Sequence, residues 1–431
     1  MEMQIDHLSD IISNLPDHAI ETILLHLPIM DAVRTSVLSR KWRYKWATIS
    51  ELVFDDKSIL PTEDGTIRID KLVNFIDRVL LLHRGPLHKF DLSTRFLNDT
   101  FIDAWILFLS RTGVKELSLK FQGEKPYKVP YSFFSCRAIT CLNLFSCILK
   151  PPSVFKGFSV LKSLNLESVT LSNEVFESII SNCIALERLR LIKLNGCTHL
   201  KIRGLNLQHF CFNGELTDIC FIDAPKLSFV SIILHNSLFK QVGQGESSNL
   251  IKVLGSLTGL EKLTIECYFI QVTQLYENFY FPFSAIGNIP VRLPGTYDRL
   301  KCLSLVINFE DLNETLVMLC LLQSSPSLHE LDFVGDEAVV TELVEDFWEA
   351  QGHLDCSMNH LRVGRAYNIG GARPELQFIK FLLVNSPVLE KLNVTPKSGK
   401  NIDKMKMLEE LLRFRRASTS AEIIYNRTSE D

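Results

Sequence analysis

Long apolar runs are missing from this chain of 431 residues. None reaches the roughly 18 continuous apolar residues that a membrane-spanning helix needs, and a candidate such as residues 316–322 fits a buried helix instead. The first residues include acids and lack the basic-then-apolar order of a secretory signal. We therefore expect no membrane association and a nuclear or cytoplasmic location.

An excess of positive charge is also missing. The 46 Lys and Arg residues face 50 Asp and Glu residues, which gives a formal net charge of -4. Nucleic-acid-binding domains usually carry a basic face, so no nucleic-acid partner is predicted. The hydrophobic fraction of 46% and the charged fraction of 22% are ordinary for globular proteins and argue against extensive disorder.

Cys-x-x-Cys pairs are absent, although the chain has 11 cysteines. Their number is odd, and several of them, such as Cys141 and Cys302, stand in apolar runs. Reduced, buried thiols fit this distribution better than a disulfide framework. His353, Cys356 and His360 have spacings that hint at zinc, but no second pair of ligands accompanies them, so no metal site is predicted.

Known catalytic motifs are missing as well. The sequence contains no Gly-x-Ser-x-Gly, no Walker loop and no His-Glu-x-x-His. Gly243 and Gly245 resemble the start of a glycine-rich phosphate loop, but the third glycine is absent. The sequence therefore predicts no catalytic residue, no cofactor and no enzyme, although a cysteine nucleophile with a distant histidine would leave no such motif.

The chain does contain a repeat, which recurs from about residue 85 as Leu-x-x-Leu-x-Leu or a near variant. Successive copies are about 20 to 25 residues apart at first and about 28 to 40 later, which is typical of leucine-rich repeats rather than of chance spacing in a generic α/β chain. One of the eleven copies lies near Leu361 and Val363. The middle positions of the other ten are Leu117, Leu142, Leu164, Leu189, Phe210, Val230, Leu263, Leu303, Leu331 and Leu392.

Repeats of this kind predict an α/β solenoid, with short parallel strands on the concave side and helices on the convex side. Residues 172–182 are a predicted convex helix, capped by Ser172 or Asn173, with an apolar face. Polar residues between the strand leucines face the concave surface, where we expect a target protein to bind. The predicted target contacts are Ser118, Asn143, Asn165, Glu167 and Arg190.

Residues 271–299 interrupt the repeats with an aromatic, proline-containing excursion. Long loops of this sort are either functional or flexible. The aromatic group there could form a recognition surface, but packing against the convex helices is the favoured interpretation.

The N-terminal segment 14–46 predicts a small helical unit. Pro16 suits the first position of a helix, because its missing N–H is not needed there. Pro28 ends that helix at Leu27, since proline disfavours helical backbone in the residue before it. The apolar face of this helix consists of Ile20, Ile23, Leu24 and Leu27.

Two shorter helices should complete this N-terminal unit. Asp31 is a good first cap, and Ser39 can cap the third helix, which would place Trp42 and Trp46 on one face. A unit of about forty residues cannot bury this much apolar surface alone. Some of the surface must meet the rest of the chain, as a helical cap on a larger domain, or a partner protein.

These residues resemble an F-box in order and spacing throughout the motif. The matching segments are Leu15-Pro16-Asp17, Ile23-Leu24, Leu27-Pro28, Asp31-Ala32-Val33, Thr35-Ser36-Val37-Leu38-Ser39 and Trp42-Arg43…Trp46. The resemblance implies docking onto the Skp-type adaptor of a cullin–RING (SCF) ubiquitin ligase. The adaptor contacts that it implies are Leu15, Pro16, Ile20, Leu24, Leu27 and Pro28. Four more residues serve either the interface or the packing of the box itself, namely Val33, Val37, Leu38 and Trp42.

The C-terminal residues 343–425 resemble the FBD domain, which follows F-box and leucine-rich repeats in plant proteins. The segments that carry the resemblance include Phe347-Trp348, Cys356, His360-Leu361-Arg362-Val363 and Asn385-Ser386-Pro387-Val388-Leu389. We expect helices over 375–385 and 407–414 and a strand over 423–425, which would cap the open end of the solenoid. The chain as a whole thus resembles plant F-box/FBD/LRR-repeat proteins.

The resemblances imply a modular protein and a function. The predicted segments are an F-box at 8–50, a linker with the first solenoid helices at 51–84, leucine-rich repeats at 85–342, an FBD domain at 343–425 and a tail at 426–431. The implied function is a non-catalytic substrate-recognition subunit of an SCF ubiquitin ligase, which docks the adaptor and presents a target for ubiquitination. The alternatives are a small-molecule-sensing F-box receptor and a leucine-rich interaction scaffold without a ligase role.

Overall fold

The computed structural model describes most of the chain and divides it into two compact units, Met1–Cys197 and Thr198–Asp431. The described residues are 11–55, 69–95, 99–216, 218–234, 257, 259–266, 296–335, 347, 358–398 and 404–426. Each unit is built on a ladder of short parallel strands.

The first unit begins with three short helices, followed by turns. These are α1 (Ile11–Asn14), α2 (Asp17–Leu25) and α3 (Ile29–Arg34), and two 3-10 helices follow at Thr35–Val37 and Lys45–Thr48. Helix α2 ends two residues before the predicted Leu27, because the residue before Pro28 avoids helical backbone.

The predicted third helix, from Ser39 through both tryptophans, is wrong. Residues 40–44 form turns, and the 3-10 helix Lys45–Thr48 takes the place of an α-helix. Trp42 and Trp46 are nevertheless both buried. The local pattern thus predicted one shared face for the two tryptophans, and in the folded chain a non-helical backbone places both of them in the core.

The rest of the first unit alternates strands with helices or loops. In chain order the elements are β1 (Glu51–Asp55), α4 (Ile69–Leu82), β2 (Lys89–Thr94), α5 (Asp99–Thr112), β3 (Glu116–Phe121), β4 (Tyr127–Lys128), a 3-10 helix (Tyr131–Ser135), β5 (Cys141–Phe145), β6 (Cys147–Ile148), β7 (Ser163–Glu167), α6 (Asn173–Asn182) and β8 (Arg188–Ile192). The main ladder runs β1-β2-β3-β5-β7-β8, with every pairing parallel. Strand β1 lies in the segment predicted as linker, so the sheet begins at Glu51 rather than after residue 85.

Alternation of buried and outward residues explains these strands. Successive side chains of a strand point to opposite faces, so Leu-x-Leu places both leucines in the core. Leu117, Leu142, Leu164 and Leu189 are register partners across β3, β5, β7 and β8, and all four are buried. The leucines of one repeat are therefore covered by the next repeat, as in other repeat proteins.

One local prediction about the first unit is confirmed, and the structure adds a repeated turn that was not predicted. Helix α6 begins after Ser172, whose Oγ accepts a hydrogen bond of 3.4 Å from the backbone N–H of Val175, as expected for a cap. Ser146, Ser168 and Lys193 each follow a strand of the ladder with φ between 48° and 55°. This repeated left-handed residue turns the chain away from the sheet at the same point of three repeats.

The second unit continues the same architecture. Its strands are β9 (His199–Arg203), β10 (His209–Gly214), β11 (Asp218–Ile222), β12 (Phe229–Leu234), β13 (Lys262–Glu266), β14 (Cys302–Ile307), β15 (Glu330–Gly335), β16 (Val363–Ile369), β17 (Lys391–Pro396) and β18 (Glu422–Tyr425). Strands β10 and β12 to β18 pair in parallel order, and β9 pairs with β11. Its helices are α7 (Leu312–Gln323), α8 (Arg373–Asn385) and α9 (Lys404–Arg413). All eleven predicted repeat copies thus carry a strand, and the two predicted C-terminal helices and the final strand are confirmed.

Buried glutamates fasten two helices of the second unit to the strands before them. Glu375 accepts hydrogen bonds from the backbone N–H groups of Gly370 (3.2 Å) and Ala372 (2.8 Å), and burial raises the pKa of this carboxyl. Glu314 accepts a bond of 2.7 Å from the backbone N–H of Asn308 in the same way. Each carboxylate thereby ties the first turn of its helix to backbone N–H groups of the segment that precedes it.

Candidate functional site

The N-terminal helical module has a core of its own. Ile20, Leu24 and Trp42 are at most 2% exposed, and the indole N–H of Trp42 donates a 3.0 Å hydrogen bond to the carbonyl oxygen of Ile12. Ile20 and Leu24 were predicted adaptor contacts, and their burial leaves little of either side chain for a partner. Trp42 was predicted for either the interface or the packing of the box, and its burial fits the packing alternative. A module of this size needs its largest apolar side chains to form a core, so they are not available at its surface.

The other seven predicted adaptor contacts offer surface. Val37 is 87% exposed, and Leu38, Pro16 and Pro28 are exposed too. Half-buried positions complete the seven: Leu15, Leu27 and Val33. Sequence reasoning also missed four exposed side chains of the same module, namely Ile12, Ile23, Leu25 and Tyr44. We call these four residues, together with the seven, the N-terminal apolar set.

Nothing in the local sequence distinguishes the exposed from the buried members of this module. Ile20 and Ile23 both fit the apolar face of the predicted helix, yet the first is in the core and the second is 40% exposed. Leu25, which breaks the predicted spacing, is more exposed still. Isolated exposed apolar residues are common, but a group of this size in one small module indicates an interaction site.

An ion-pair cluster holds the Leu15-Pro16 turn in place. The carboxylate of Asp17 lies 3.4 Å from Nζ of Lys41 and 3.1 Å from Nζ of Lys45. The hydrogen bond and charge of Lys45 lower the pKa of Asp17. Lys41 also donates a hydrogen bond to the carbonyl oxygen of Leu15. The first Leu-Pro pair is thereby tied to the second half of the module.

The module is also joined tightly to the sheet of the first unit. The backbone N–H of Arg84 donates to the carbonyl oxygen of Ala47 (2.9 Å), and that of His88 donates to Ser50 (2.8 Å). A Cβ on Gly85 would lie only 2.9 Å from the carbonyl oxygen of Thr48. Because β1 starts directly after Ser50, no free linker separates the module from the ladder.

The predicted target contacts lie on the outward side of the strands. Ser118, Asn143, Asn165 and Arg190 are register partners on β3, β5, β7 and β8, so the structure brings these four into one row. Glu167 follows Asn165 by two residues and shares its face of β7. Ser118 is only 6% exposed and its hydroxyl is buried, so it offers a partner little surface.

The described cysteines do not suggest a nucleophile. Nine of them are free, and burial raises the pKa of the Cys136 and Cys147 thiols to about 12. Among the residues that the structure describes, no group of three or more His, Cys, Asp or Glu could hold a metal ion, and no helix is long and apolar enough to cross a membrane. His353, Cys356, the glycine pair Gly243 and Gly245, and most of the aromatic excursion lie outside the described residues.

Comparison with known proteins agrees with this architecture. A family model for "FBD-associated F-box protein At5g56370, LRR repeats" matches residues 102–333, and an F-box domain model matches residues 12–52. F-box/FBD/LRR-repeat protein At1g13570 of Arabidopsis thaliana is 42% identical over 423 residues, which cover 96% of this chain and 98% of the relative. The chain belongs to the F-box/FBD/LRR-repeat proteins.

Further relatives from Arabidopsis thaliana include F-box/FBD/LRR-repeat protein At5g56420, which is 26% identical over 97% of this chain and 99% of its own length. FBD-associated F-box protein At5g56370 is 31% identical over 52% of this chain and 54% of its own length. Membership of this family implies a substrate-adaptor role in SCF-type ubiquitin ligases, and such proteins are generally non-catalytic adaptors. F-box domains generally bind Skp-type adaptors.

Proposed function

We propose that this F-box/FBD/LRR-repeat protein is the substrate-recognition subunit of an SCF ubiquitin ligase. Its F-box docks the Skp-type adaptor and, through it, the cullin–RING scaffold, while the strand face of the repeats holds a target protein for ubiquitination. The protein makes and breaks no bonds itself. It contributes by holding the target near the ubiquitin-charged enzyme, which raises the effective concentration of the reacting groups.

The N-terminal apolar set carries this proposal, because it lies within the residues that match an F-box. Fully burying a side chain the size of valine or leucine stabilises a complex by about 1.5 to 3 kcal/mol. Several such side chains around Val37, Leu38 and Leu25 would supply a docking interface without any charge. Ile20, Leu24 and Trp42 contribute indirectly, by shaping the module from inside.

The tight junction between the module and the sheet supports a positioning role. Backbone hydrogen bonds from Arg84 and His88 fix the end of the F-box against the first strands. The guanidinium of Arg84 also lies 5.8 Å from the ring centroid of Tyr44, within reach of a cation–π interaction. An adaptor bound to the F-box would therefore keep a constant orientation to the strand face of the first unit.

Co-purification with a plant Skp-type adaptor tests the proposal. The full chain is co-expressed with the adaptor as wild type, as Val37→Asp and as Leu81→Asp. Leu81 lies on α4, outside the F-box, and is 82% exposed, so it is a matched control for the 87% exposed Val37. We expect a one-to-one complex for the wild type and for Leu81→Asp, and its loss for Val37→Asp, because a carboxylate in an apolar interface is costly to desolvate.

A folded wild-type chain that does not bind the adaptor would overturn the ligase assignment. Loss of the complex in both variants would show a general defect of the folded chain and would also count against docking through the F-box. Reconstituted ubiquitination of a bound target is the second readout. The free thiols of the described cysteines fit a reducing compartment, so we also propose a nuclear or cytoplasmic site of action.

A further inference from the structure

Two arginines lie on the last strand of the first unit. Arg188 and Arg190 alternate with the buried Leu189 and Leu191 on β8, so both guanidinium groups are on the outward face, and both residues are exposed. Neither forms an ion pair with any residue that the structure describes. A guanidinium presents a fixed fork of donors that suits a carboxylate.

The other end of the same face carries no positive excess, because Glu116 on the outward side of β3 adds a carboxylate to two ion pairs. Lys89 lies 3.5 Å from the carboxylate of Glu51, and Lys120 lies 3.3 Å from that of Asp91, which pairs charges across β1, β2 and β3. Among the described residues, the lysines of β2 and β3 thus each have an ionic partner. The face is therefore asymmetric, with its available positive charge on β8.

The nearest acids do not cancel the charge on β8. Glu187, which precedes the strand, lies 3.3 Å from Nζ of Lys162. Glu167 is the register partner of Ile192, beyond both arginines along the strand, and it forms no ion pair with either of them. Two arginines thus face one unpaired carboxylate, which leaves a positive excess on the outward side of β8.

Neutral hydrogen-bonding groups lead from the centre of the face to these arginines. Asn143 and Asn165 occupy the row between Ser118 and Arg190. Both residues are partly exposed, although the Oδ1 atom of Asn165 is buried. Neighbouring strands are about 4.8 Å apart, so the row from β3 to β8 spans about 14 Å. An extended peptide of four to five residues covers that distance at about 3.3 Å per residue.

We propose that the outward face of β3, β5, β7 and β8 binds an extended segment of the target protein that carries Asp or Glu side chains. Arg188 and Arg190 hold the carboxylates. The amide of Asn143 donates to and accepts from peptide groups of the segment, and the amide nitrogen of Asn165 donates to them. This assignment rests on the proposed function and names the chemistry of its target.

A peptide library tests the assignment with the full-length chain. Extended 12-residue peptides of acidic, neutral, basic and phosphorylated composition are screened against the wild type, Arg188→Gln/Arg190→Gln and Arg188→Lys/Arg190→Lys. Lys120→Gln is the matched control, because it removes a cation on the same face that already has a partner. Single-stranded RNA and vesicles of anionic lipid are included as competitors.

We expect the wild type to enrich Asp- and Glu-containing peptides. The glutamine variant should weaken the best of them about tenfold or more, in line with the loss of charge-assisted hydrogen bonds. Lys120→Gln should leave the affinity within about twofold of the wild type. The affinity of Arg188→Lys/Arg190→Lys should lie between those of the wild type and the glutamine variant, because lysine keeps the charge and loses the fork of guanidinium donors.

Several results would overturn the assignment. These are the absence of peptide enrichment, acidic enrichment that survives Arg188→Gln/Arg190→Gln, selection of phosphorylated peptides alone, and tighter binding of RNA or vesicles than of acidic peptides. Co-purification with the adaptor is measured for every variant. An intact adaptor complex alongside any of these results would reject the acidic target and leave the ligase role standing.

Discussion

Replacing Trp42 by alanine separates the two roles that an F-box tryptophan can have. In the structure Trp42 is 2% exposed and its indole N–H donates to the carbonyl oxygen of Ile12 at 3.0 Å. A buried aromatic side chain removes about 150–250 Å² from water, which corresponds to about 4–6 kcal/mol at 25 cal/mol per Å². Core Trp→Ala substitutions cost about 3–5 kcal/mol, and the lost hydrogen bond is part of that loss.

A loss of this size is a large fraction of the about 5–15 kcal/mol by which whole domains are stable, and a module of about forty residues is less stable than a whole domain. Trp42→Phe keeps most of the buried area and should cost about 1–2 kcal/mol. We therefore expect Trp42→Ala to unfold the module locally and Trp42→Phe to leave it folded. Val37→Asp should abolish adaptor binding while the module stays folded, because its side chain points to solvent.

Hydrogen–deuterium exchange of α2 and α3, combined with adaptor co-purification, checks this prediction. The expected order of amide protection is wild type, then Trp42→Phe, then Trp42→Ala, with Val37→Asp equal to wild type. The ladder strands β5 and β7 serve as an internal reference that no variant should alter. If Trp42→Ala lost the adaptor while α2 and α3 kept full protection, Trp42 would be a direct contact and the reasoning from burial would be refuted.

Three further predictions concern the repeats. Gly157→Ala should destabilise the chain by about 2–4 kcal/mol, because φ is +77° and the new Cβ would lie 2.4 Å from Cβ of Asn182. Gly113→Ala, with φ of +70° but open space around the new Cβ, should cost only about 1 kcal/mol. Thermal unfolding of both variants compares the two losses. Lys193→Val should lower the free energy of unfolding by about 1–2 kcal/mol, and Lys193→Asn should leave it nearly unchanged. The reason is that φ is 48°, a region that asparagine tolerates better than a β-branched residue does. Equal effects of the two variants in denaturant titrations would contradict the left-handed turn at Lys193. Burial raises the pKa of Cys147 to about 12, so the folded thiol keeps its proton at pH values where the unfolded thiol loses it. The free energy of unfolding should therefore fall as pH rises from about 9 towards 12, and Cys147→Ala should reduce that fall. Rapid alkylation of folded Cys147 at pH 8.5 would contradict the raised pKa.

Glu375 shows which parts of a helix start can be predicted from the local sequence. Pro374 and Glu375 at the start of a predicted helix are ordinary first-turn residues, and the helix itself was predicted within two residues of its observed start. The two hydrogen bonds of the Glu375 carboxylate are local, since its partners Gly370 and Ala372 lie within five residues. The packing of Gly335 against this carboxylate, where an added Cβ would lie 3.2 Å from Oε1, is not local. Gly335 belongs to a strand forty residues earlier in the chain, so the sequence around Glu375 does not predict this contact.

Part of the candidate site was predictable for the same reason that the strands were. In Leu142-Asn143-Leu144, the period of two assigns the leucines to the core and the asparagine to the outward face, whatever the neighbours are. The uniform parallel pairing then follows from the repeat and places Asn143 beside Asn165. Whether an outward charge is paired was not predictable. Lys120 and Arg190 each lie diagonally across from a carboxylate on the neighbouring strand, Asp91 and Glu167 respectively. Of the two cations, only Lys120 forms an ion pair among the described residues.

The sequence by itself determined the repeat, the strands built on it and the family, because these depend on spacings within one short segment. Only the tertiary structure decided which apolar residues of the F-box face solvent, that Glu51–Asp55 opens the sheet, and that both tryptophans are buried without a third helix. Ile20 and Ile23 obey the same helical pattern, and their different exposure depends on packing partners up to thirty residues away. Burial is a property of the whole fold, and side-chain period is a property of a few neighbouring residues.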